Sequence, residues 1–499
     1  ALYAGANDGM LHAFDAETGA ERWAFIPGAV FKNLHKLTDP NYSHEYFVDG
    51  AATVSDAYLG SWGTYLVSGL NAGGQSVFAL DVTDPTAASE GAVASKFLWE
   101  FTDADDADLG YTYSRPSIAR MANGDWVAIF GNGYNNTASD GTVSATGNAV
   151  LYIVRLSDGQ LLRKIDTGVG VAQDPFGVGR PNGLSTVGVV DANQDAVADY
   201  AYAGDLFGNL WKFDLTSANP AGWVAAYGGG AIKTPLYIAR DAFGNRQPIT
   251  GRPVVGRGPG GDGLMVLFGT GKFLEARDRI PANLQLHTFY GLLDQNTGAA
   301  GTDIIANRGA LLQQTITFEG AVTVSDSETG SSKTVKARVT SQNPLTTERG
   351  WYIDLLSPAA GFQGEMVPSN PFLRNKRVNF TTLIPDPDPC TYGGSSWIMN
   401  IDMFSGGRID TSPFDLNNDG DFDAEDKVPP NGGPSAVGSD VAVSGLQVGE
   451  GIVAQGIVVG DPTRDRDVII APDSFGNINA IPAWPGPGVY GRQSWRQLR

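Results

Sequence analysis

Two stretches of this sequence gather oxygen side chains at the alternating spacing with which a tight loop wraps a hard cation. The first is D-A-N-Q-D-A-V-A-D, residues 191–199, set between the apolar residues 187–190 and 200–203. Asp191, Asn193, Asp195 and Asp199 fall at positions one, three, five and nine, and the carbonyl of Val197 at seven. Calcium takes six to eight oxygens at about 2.3–2.6 Å, and an EF-hand loop delivers them at such offsets. Position six is Ala196, where the EF-hand has Gly, and position twelve is Tyr202, so no bidentate Glu closes the shell. The spacing predicts a compact, strand-flanked calcium loop in which Asp199 binds directly. The competing reading is an Asx-rich turn whose carboxylates cap backbone amides.

The second stretch is D-L-N-N-D-G-D-F-D-A-E-D, residues 415–426. Asp415, Asn417, Asp419 and Asp423 take positions one, three, five and nine. Gly420 sits at six, Asp421 offers its carbonyl at seven, and Asp426 stands at twelve, as in dockerin-like loops. This is the closer match to the motif and predicts a second calcium site. Its alternative is a solvated acidic turn ahead of Pro429 and Pro430.

Other chemistry is thin. His12, His35, His44 and His287 show no metal-ligand spacing. No nucleophile elbow or P-loop occurs, and the Gly-x-Gly pairs at 131/133 and 269/271 follow strands without opening a helix. Cys390 is the only cysteine, which excludes an intrachain disulfide and thiolate zinc sites, and a lone thiol without a His partner is expected to be inert. The formal net charge of -20 disfavours nucleic acid as a partner. No apolar run approaches the ~20 residues of a membrane-spanning helix. The chain opens at Ala1 in a strand-like run, the expectation for a fragment or processed product.

The elements that must hold these loops are strands. The 65 Gly and 28 Pro of the 499 residues fit many short strands joined by tight turns. A unit recurs: apolar strand, Gly/Asn/Asp turn, alternating strand ending in Asp. Copies begin at Leu2, Tyr65, Trp126, Asp199, Leu264 and Asp467. Residues 349–356, 378–385 and 396–404 are expected to form one further blade. Two β-rich runs around the S-E-T-G-S-S turn at 327–332 predict a hairpin. About seven such units predict an all-β fold, a ring of four-stranded blades, over 1–499 as a single β-propeller domain. Insertions are expected near 27–58, with a short helix at P-G-A-V-F-K-N-L-H-K-L, near 301–345 and near 405–450, with further surface loops at 103–108, 256–263 and 429–436. A-F-D-A-E-T-G-A-E-R-W, residues 13–23, fits the Ala-x-Asp-x-x-Thr-Gly-x-x-x-Trp pattern of quinoprotein propellers, read here as a structural lock between blades. A quinone (PQQ)-dependent dehydrogenase is the enzymatic alternative, but it lacks the vicinal cysteine pair.

The opening L-Y-A-G-A-N-D-G-M-L-H-A-F-D-A-E-T-G-A-E-R-W-A-F, the 191–199 loop followed by G-D-L-F-G-N-L-W-K-F-D-L, and C-T-Y-G-G-S-S-W-I-M-N-I-D together resemble the C-terminal domain of the PilC/PilY family. These are type IV pilus tip-associated adhesins and biogenesis factors. The resemblance covers nearly the whole chain, with the motifs in family order. It implies a modified seven-bladed propeller with quinoprotein-like blades, binding one calcium through Asp191, Asn193, Asp195, the Val197 carbonyl and Asp199. It implies no enzyme activity, but control of pilus retraction, twitching motility and surface attachment. The implied partners are pilus components such as minor pilins or the pilus tip, and a host or surface ligand. The implied location is extracytoplasmic: pilus tip, cell surface, outer membrane or periplasm. An adhesive N-terminal region precedes the propeller in the family. No Arg-Gly-Asp occurs, so integrin binding does not carry over. A passive outer-membrane assembly scaffold is the remaining alternative.

Overall fold

The computed structural model describes residues 1–388, 393–431, 438–449, 451–461 and 466–486. Cys390 and part of the 429–436 loop lie outside the described residues. The chain gathers into two compact units, Ala1–Ile238 and Ala239–Arg499.

The first unit is four antiparallel sheets in chain order. Leu2–Gly5, Leu11–Phe14 and Glu21–Phe25 form a three-stranded meander. Thr53–Tyr58, Trp62–Gly69, Ser76–Asp81 and Phe97–Thr102 form the second sheet, and Ser117–Arg120, Trp126–Gly131, Val150–Arg155 and Leu161–Asp166 the third. The fourth runs Gly188–Val190, Tyr200–Gly204, Asn209–Asp214 and Val224–Ala225, with Tyr237–Ile238 also pairing on Asn209–Asp214. Central strands such as Val150–Arg155 are apolar on both faces because consecutive sheets cover both. Val67, Val77, Trp99, Phe130 and Tyr152 fill one such layer, and Ile129, Ile153, Ala201, Trp211 and Phe213 the next. The short helix expected after Pro27 is present as a 3-10 helix, Gly28–Thr38, while Thr53–Tyr58 at the end of that stretch belongs to the second sheet.

The second unit has three larger sheets. In the first, Val254–Arg257, Leu264–Gly269, Thr288–Asp294 and Gly350–Asp354 are antiparallel, and Leu312–Gln314 joins parallel to the last. The second has six strands, ordered Ile316–Ser325, Ser332–Thr340, Gly445–Gln447, Trp397–Asp402, Arg377–Thr381 and Phe372–Arg374. The third is Ile457–Asp461, Arg466–Pro472 and Ile478–Ala483. Two two-stranded pairs complete the unit, and among the described residues no sheet closes on itself.

Here the expected grouping is corrected. Residues 349–356 do not share a blade with 378–385 and 396–404. Gly350–Asp354 pairs with Thr288–Asp294, whereas Arg377–Thr381 pairs with Trp397–Asp402. The hairpin expected around 327–332 is present, but its strands extend the six-stranded sheet through Gly445–Gln447. Pairing over a hundred residues of separation leaves no local periodic trace.

The reason for the recurring Trp is visible. Trp23 Nε1 donates to the Pro85 carbonyl at 3.0 Å, Trp99 to Leu156 at 2.8 Å and Trp351 to Met403 at 3.0 Å. In each case a strand of one sheet docks on the turn that follows a strand of the next. The Trp residues stand opposite Ala13, Ala79 and Gly291 in register, small residues that leave room for the indole. In the third sheet Arg163 takes the equivalent register opposite Ile153, and its Nε donates to the Trp223 carbonyl at 2.9 Å.

Candidate metal centres

The loop 191–199 closes the hairpin between Gly188–Val190 and Tyr200–Gly204, with Val190 opposite Tyr200. Its end is held by main chain on three sides. Asp199 N–H donates to the Val190 carbonyl at 2.9 Å, Leu215 N–H to the Asp199 carbonyl at 2.9 Å, and Ala198 N–H to the Arg120 carbonyl at 2.8 Å. Asp199 is buried, while Asp191, Asn193 and Asp195 are exposed. The Asp191 carboxylate accepts the amides of Gln194 at 2.6 Å through Oδ1 and of Ala196 at 2.8 Å through Oδ2. Asn193 Oδ1 accepts the Asp195 amide at 2.9 Å, and Asp195 Oδ1 the Val197 amide at 2.9 Å. Asp199 Oδ2 reaches back to the amides of Ala192 at 2.8 Å and Asn193 at 3.2 Å.

The loop 415–426 repeats this bonding. Asp415 accepts the amides of Asn418 at 2.6 Å and Gly420 at 3.1 Å, Asn417 that of Asp419 at 3.2 Å, and Asp419 that of Asp421 at 2.8 Å. The backbone agrees as well. Positions four and six are left-handed in both loops: Gln194 at φ 67° and Ala196 at 64°, Asn418 at 68° and Gly420 at 101°. Position six asks for Gly because a Cβ is strained there. Ala196 accepts that strain, held by its amide bond to Asp191.

One correspondence differs from the sequence numbering. The carboxylate that caps the amide of position two is Asp199, position nine, in the first loop, but Asp426, position twelve, in the second. Asp426 Oδ1 accepts the Leu416 amide at 2.5 Å. Asp423, the numerical counterpart of Asp199, instead accepts the Glu425 amide at 2.7 Å, and its own amide donates to Asp426 Oδ2 at 3.3 Å. The first loop reaches its closing carboxylate three residues sooner because it turns straight back into a strand.

The second loop is the more enclosed: Asp415, Asn417 and Asp426 are buried, between the core residues Phe414, Leu416 and Val428. Burial pushes the Asp426 carboxyl up to about 7, against the Leu416 amide bond, and the Asp415 charge adds to the rise. Asp415 is raised by burial too. The hairpin Ile316–Ser325/Ser332–Thr340 contributes contacts that the motif did not reveal. Lys333 Nζ donates to Asn418 Oδ1 at 3.1 Å, and the Ser327 amide to Glu425 Oε2 at 3.1 Å.

Both loops offer a hard, anionic, all-oxygen donor set, which suits calcium over softer metals. The carboxylates of both loops also cap amides, as the competing reading expected of the first loop. Inside each loop an amide nitrogen faces the position-five carboxylate: Asn193 Nδ2 to Asp195 Oδ2 at 3.1 Å, and Asn417 Nδ2 to Asp419 Oδ2 at 2.7 Å. A cation would need each amide turned so that oxygen faces inward. Among the described residues, no three acidic, histidine or cysteine side chains meet as a preformed metal cluster. The fold thus places Asp191, Asn193, Asp195, Val197 and Asp199 on one loop, and Asp415, Asn417, Asp419, Asp421, Asp423 and Asp426 on another, without converging either set on one point.

Of the histidines, His12 sits between two carboxylates, Nδ1 on Glu21 at 2.7 Å and Nε2 on Asp8 at 2.9 Å. His287 is buried beside Thr270. Among the described residues, no helix is long and apolar enough to cross a membrane.

Sheets in succession, locked by Trp on the following turn and carrying oxygen-rich loops, define an all-β protein of the β-propeller class. Comparison with known proteins makes the class specific. The sequence profile of the PilY1 beta-propeller domain matches residues 1–328. The chain belongs to the PilY1 β-propeller family. It is 37% identical over 529 residues to the type IV pilus biogenesis factor PilY1 of Pseudomonas aeruginosa, aligning 100% of this chain with 41% of that protein. It is 42% identical over 414 residues to a PilY1 homologue of Xylella fastidiosa, 81% of this chain and 26% of the relative. The chain therefore spans less than half the length of these relatives. The crystal structure of the P. aeruginosa PilY1 C-terminal domain superposes with a TM-score of 0.77 at 33% identity, covering 97% of this chain and 92% of that one.

Proposed function

We propose that this chain is the calcium-binding propeller portion of a type IV pilus biogenesis and adhesion factor, acting outside the cytoplasm on pilus components. Its blades are assigned as the four sheets of the first unit and the three large sheets of the second. It performs no catalysis. Its role is to tune pilus extension and retraction, and with them twitching motility and surface attachment.

The observation that carries this reading is the repeated loop conformation. Two segments with different neighbours adopt the same left-handed positions and the same carboxylate-to-amide bonds. Calcium would neutralise Asp191, Asp195 and Asp199, draw the Asn193 oxygen inward, and fix the loop against the strands that Asp199 anchors. The second loop would use Asp415, Asn417, Asp419, the Asp421 carbonyl, Asp423 and Asp426. Binding would also displace the proton partly held by the Asp426 carboxyl, whose pKa burial raises to about 7. For calcium to regulate, the free and bound loops must differ in affinity for a pilus partner such as a minor pilin.

Calcium titration calorimetry on metal-stripped protein tests this, with Asp199→Ala and Asp415→Ala beside the wild type. Two transitions are expected, each lost in one variant. No heat in verified metal-free wild type would overturn the calcium reading. Unchanged twitching in a strain whose full-length protein carries Asp199→Ala would leave calcium a structural role only.

A further inference from the structure

The six-stranded sheet of the second unit carries a row of buried polar side chains on one face of two paired strands. Val378, Phe380, Met399 and Ile401 point into an apolar core. By the alternation of a strand, Arg377, Asn379 and Asn400 occupy the opposite face. Asn379 and Asn400 are register partners, and Arg377 lies two residues before Asn379. The three are 3%, 2% and 2% exposed, so water does not solvate them from outside.

Their hydrogen bonding is incomplete. Asn400 Nδ2 donates to Asn379 Oδ1 at 2.7 Å, and Arg377 Nη2 to the Trp484 carbonyl at 2.5 Å. Arg377 Nε and Nη1, Asn379 Nδ2 and Asn400 Oδ1 have no protein partner. Turning both amides about exchanges the free ends and still leaves one amide donor unused. The Trp484 ring centroid lies 5.1 Å from the guanidinium carbon and covers it.

The ion pairing is incomplete as well. Both oxygens of Asp467, the nearby buried carboxylate, are taken by Arg374 at 2.7 and 2.7 Å. Asp402, opposite Arg377 in register, uses Oδ1 on the Phe404 and Ser405 amides and the Ser405 hydroxyl. Arg374 thus takes Asp467, and Arg377 has no carboxylate within ion-pair distance among the described residues. Burial lowers the Arg377 pKa to about 10, so the group stays cationic at neutral pH. An enclosed cation with unused donors is destabilising unless an acceptor or counter-charge meets it.

We propose that Arg377, Asn379 and Asn400 form an internal binding site for one small inorganic anion, for which chloride is the probe. The Arg377 guanidinium supplies the positive charge, and its Nε and Nη1 with Asn379 Nδ2 supply the unused donors. The site is independent of the calcium loops.

Thermal unfolding of the 499-residue protein at constant ionic strength tests it, exchanging sodium gluconate, too large to be enclosed, for sodium chloride. The wild type should gain about 2–4 °C in saturable fashion as chloride rises. Asn379→Leu should need at least tenfold more chloride for the same gain, and Arg377→Met should show none. Crystals of the wild type grown in bromide should give an anomalous peak within hydrogen-bond reach of Arg377 Nη1. Equal unfolding in chloride and gluconate, or an undiminished chloride effect in Arg377→Met, would overturn the proposal. Should that variant not fold, a missing bromide peak in the wild type would do the same.

Discussion

Asp199 Oδ2 accepts the amide of Ala192 at 2.8 Å, tying the last residue of the first oxygen-rich loop to its second. The carboxylate therefore has two roles, closing the loop and offering a charge to a cation, and the two can be separated. Asp199→Asn keeps an oxygen for the Ala192 amide but removes the charge. It should unfold within about 1 kcal/mol of the wild type and bind calcium at this loop at least ~10-fold more weakly. Asp199→Ala should lose both. Calorimetry together with urea unfolding checks this, and equal calcium affinity in the Asn variant would show that the charge is not a ligand.

The Trp locks predict which turn glycines are irreplaceable. A Cβ on Gly406, at φ 71°, would stand 2.2 Å from the Trp351 ring, and one on Gly159, at φ 75°, 2.7 Å from Trp99. Gly19 has a similar φ of 73° but nothing within 4 Å of its Cβ position. Gly19→Ala should cost about 1 kcal/mol for backbone strain alone, and the other two about 2–4 kcal/mol from overpacking in addition. Chemical denaturation of the three variants reads the difference directly.

Asp205 is a buried hub. It accepts the amides of Phe207 and Asn209 at 2.9 Å each, and bonds from Asn209 Nδ2, Trp211 Nε1 and Asn182 Nδ2 at 2.8, 2.8 and 2.9 Å. The same D-x-F-G-N turn recurs at residues 241–245 and 473–477. Asp473 accepts the amides of Phe475 and Asn477 in the same way, but at a turn open to water. Asp205→Ala should cost about 3–5 kcal/mol because buried donors lose their acceptor, and Asp473→Ala about 1 kcal/mol. Equal costs would show that the buried network is not what makes Asp205 important.

His287 makes stability depend on pH. Burial pushes its pKa down to about 4, with Asp241 opposing, from the ordinary 6.5. Between those values the unfolded chain binds a proton that the folded chain refuses, so stability falls as pH drops from 6.5 towards 4. The loss attributable to this residue approaches ~3 kcal/mol at the acid end. In His287→Gln the unfolding free energy should decline less steeply across that window. Parallel slopes for wild type and variant would remove His287 as the cause.

The strands, the turns and both oxygen-rich loops were legible in the chain itself, because each is written in neighbouring residues. Alternation announces a strand, and Asp, Asn and Asp at offsets one, three and five announce an Asx-built loop whose bonds span two to five residues. The Trp of the A-x-D-x-x-T-G-x-x-x-W pattern also announced a lock, though not its acceptor. What the chain could not declare depends on partners remote in sequence. Gly445–Gln447 slips between Ser332–Thr340 and Trp397–Asp402, pairings over about a hundred and about fifty residues that no local period encodes. Position counting set Asp423 against Asp199, yet the backbone gives that capping role to Asp426, because the second loop runs further before it meets its strand. The buried Arg377 likewise reads as an ordinary strand arginine. Only the tertiary structure, by committing Asp467 to Arg374 and closing Trp484 over the neighbouring guanidinium, leaves Arg377 without an ion pair among the described residues.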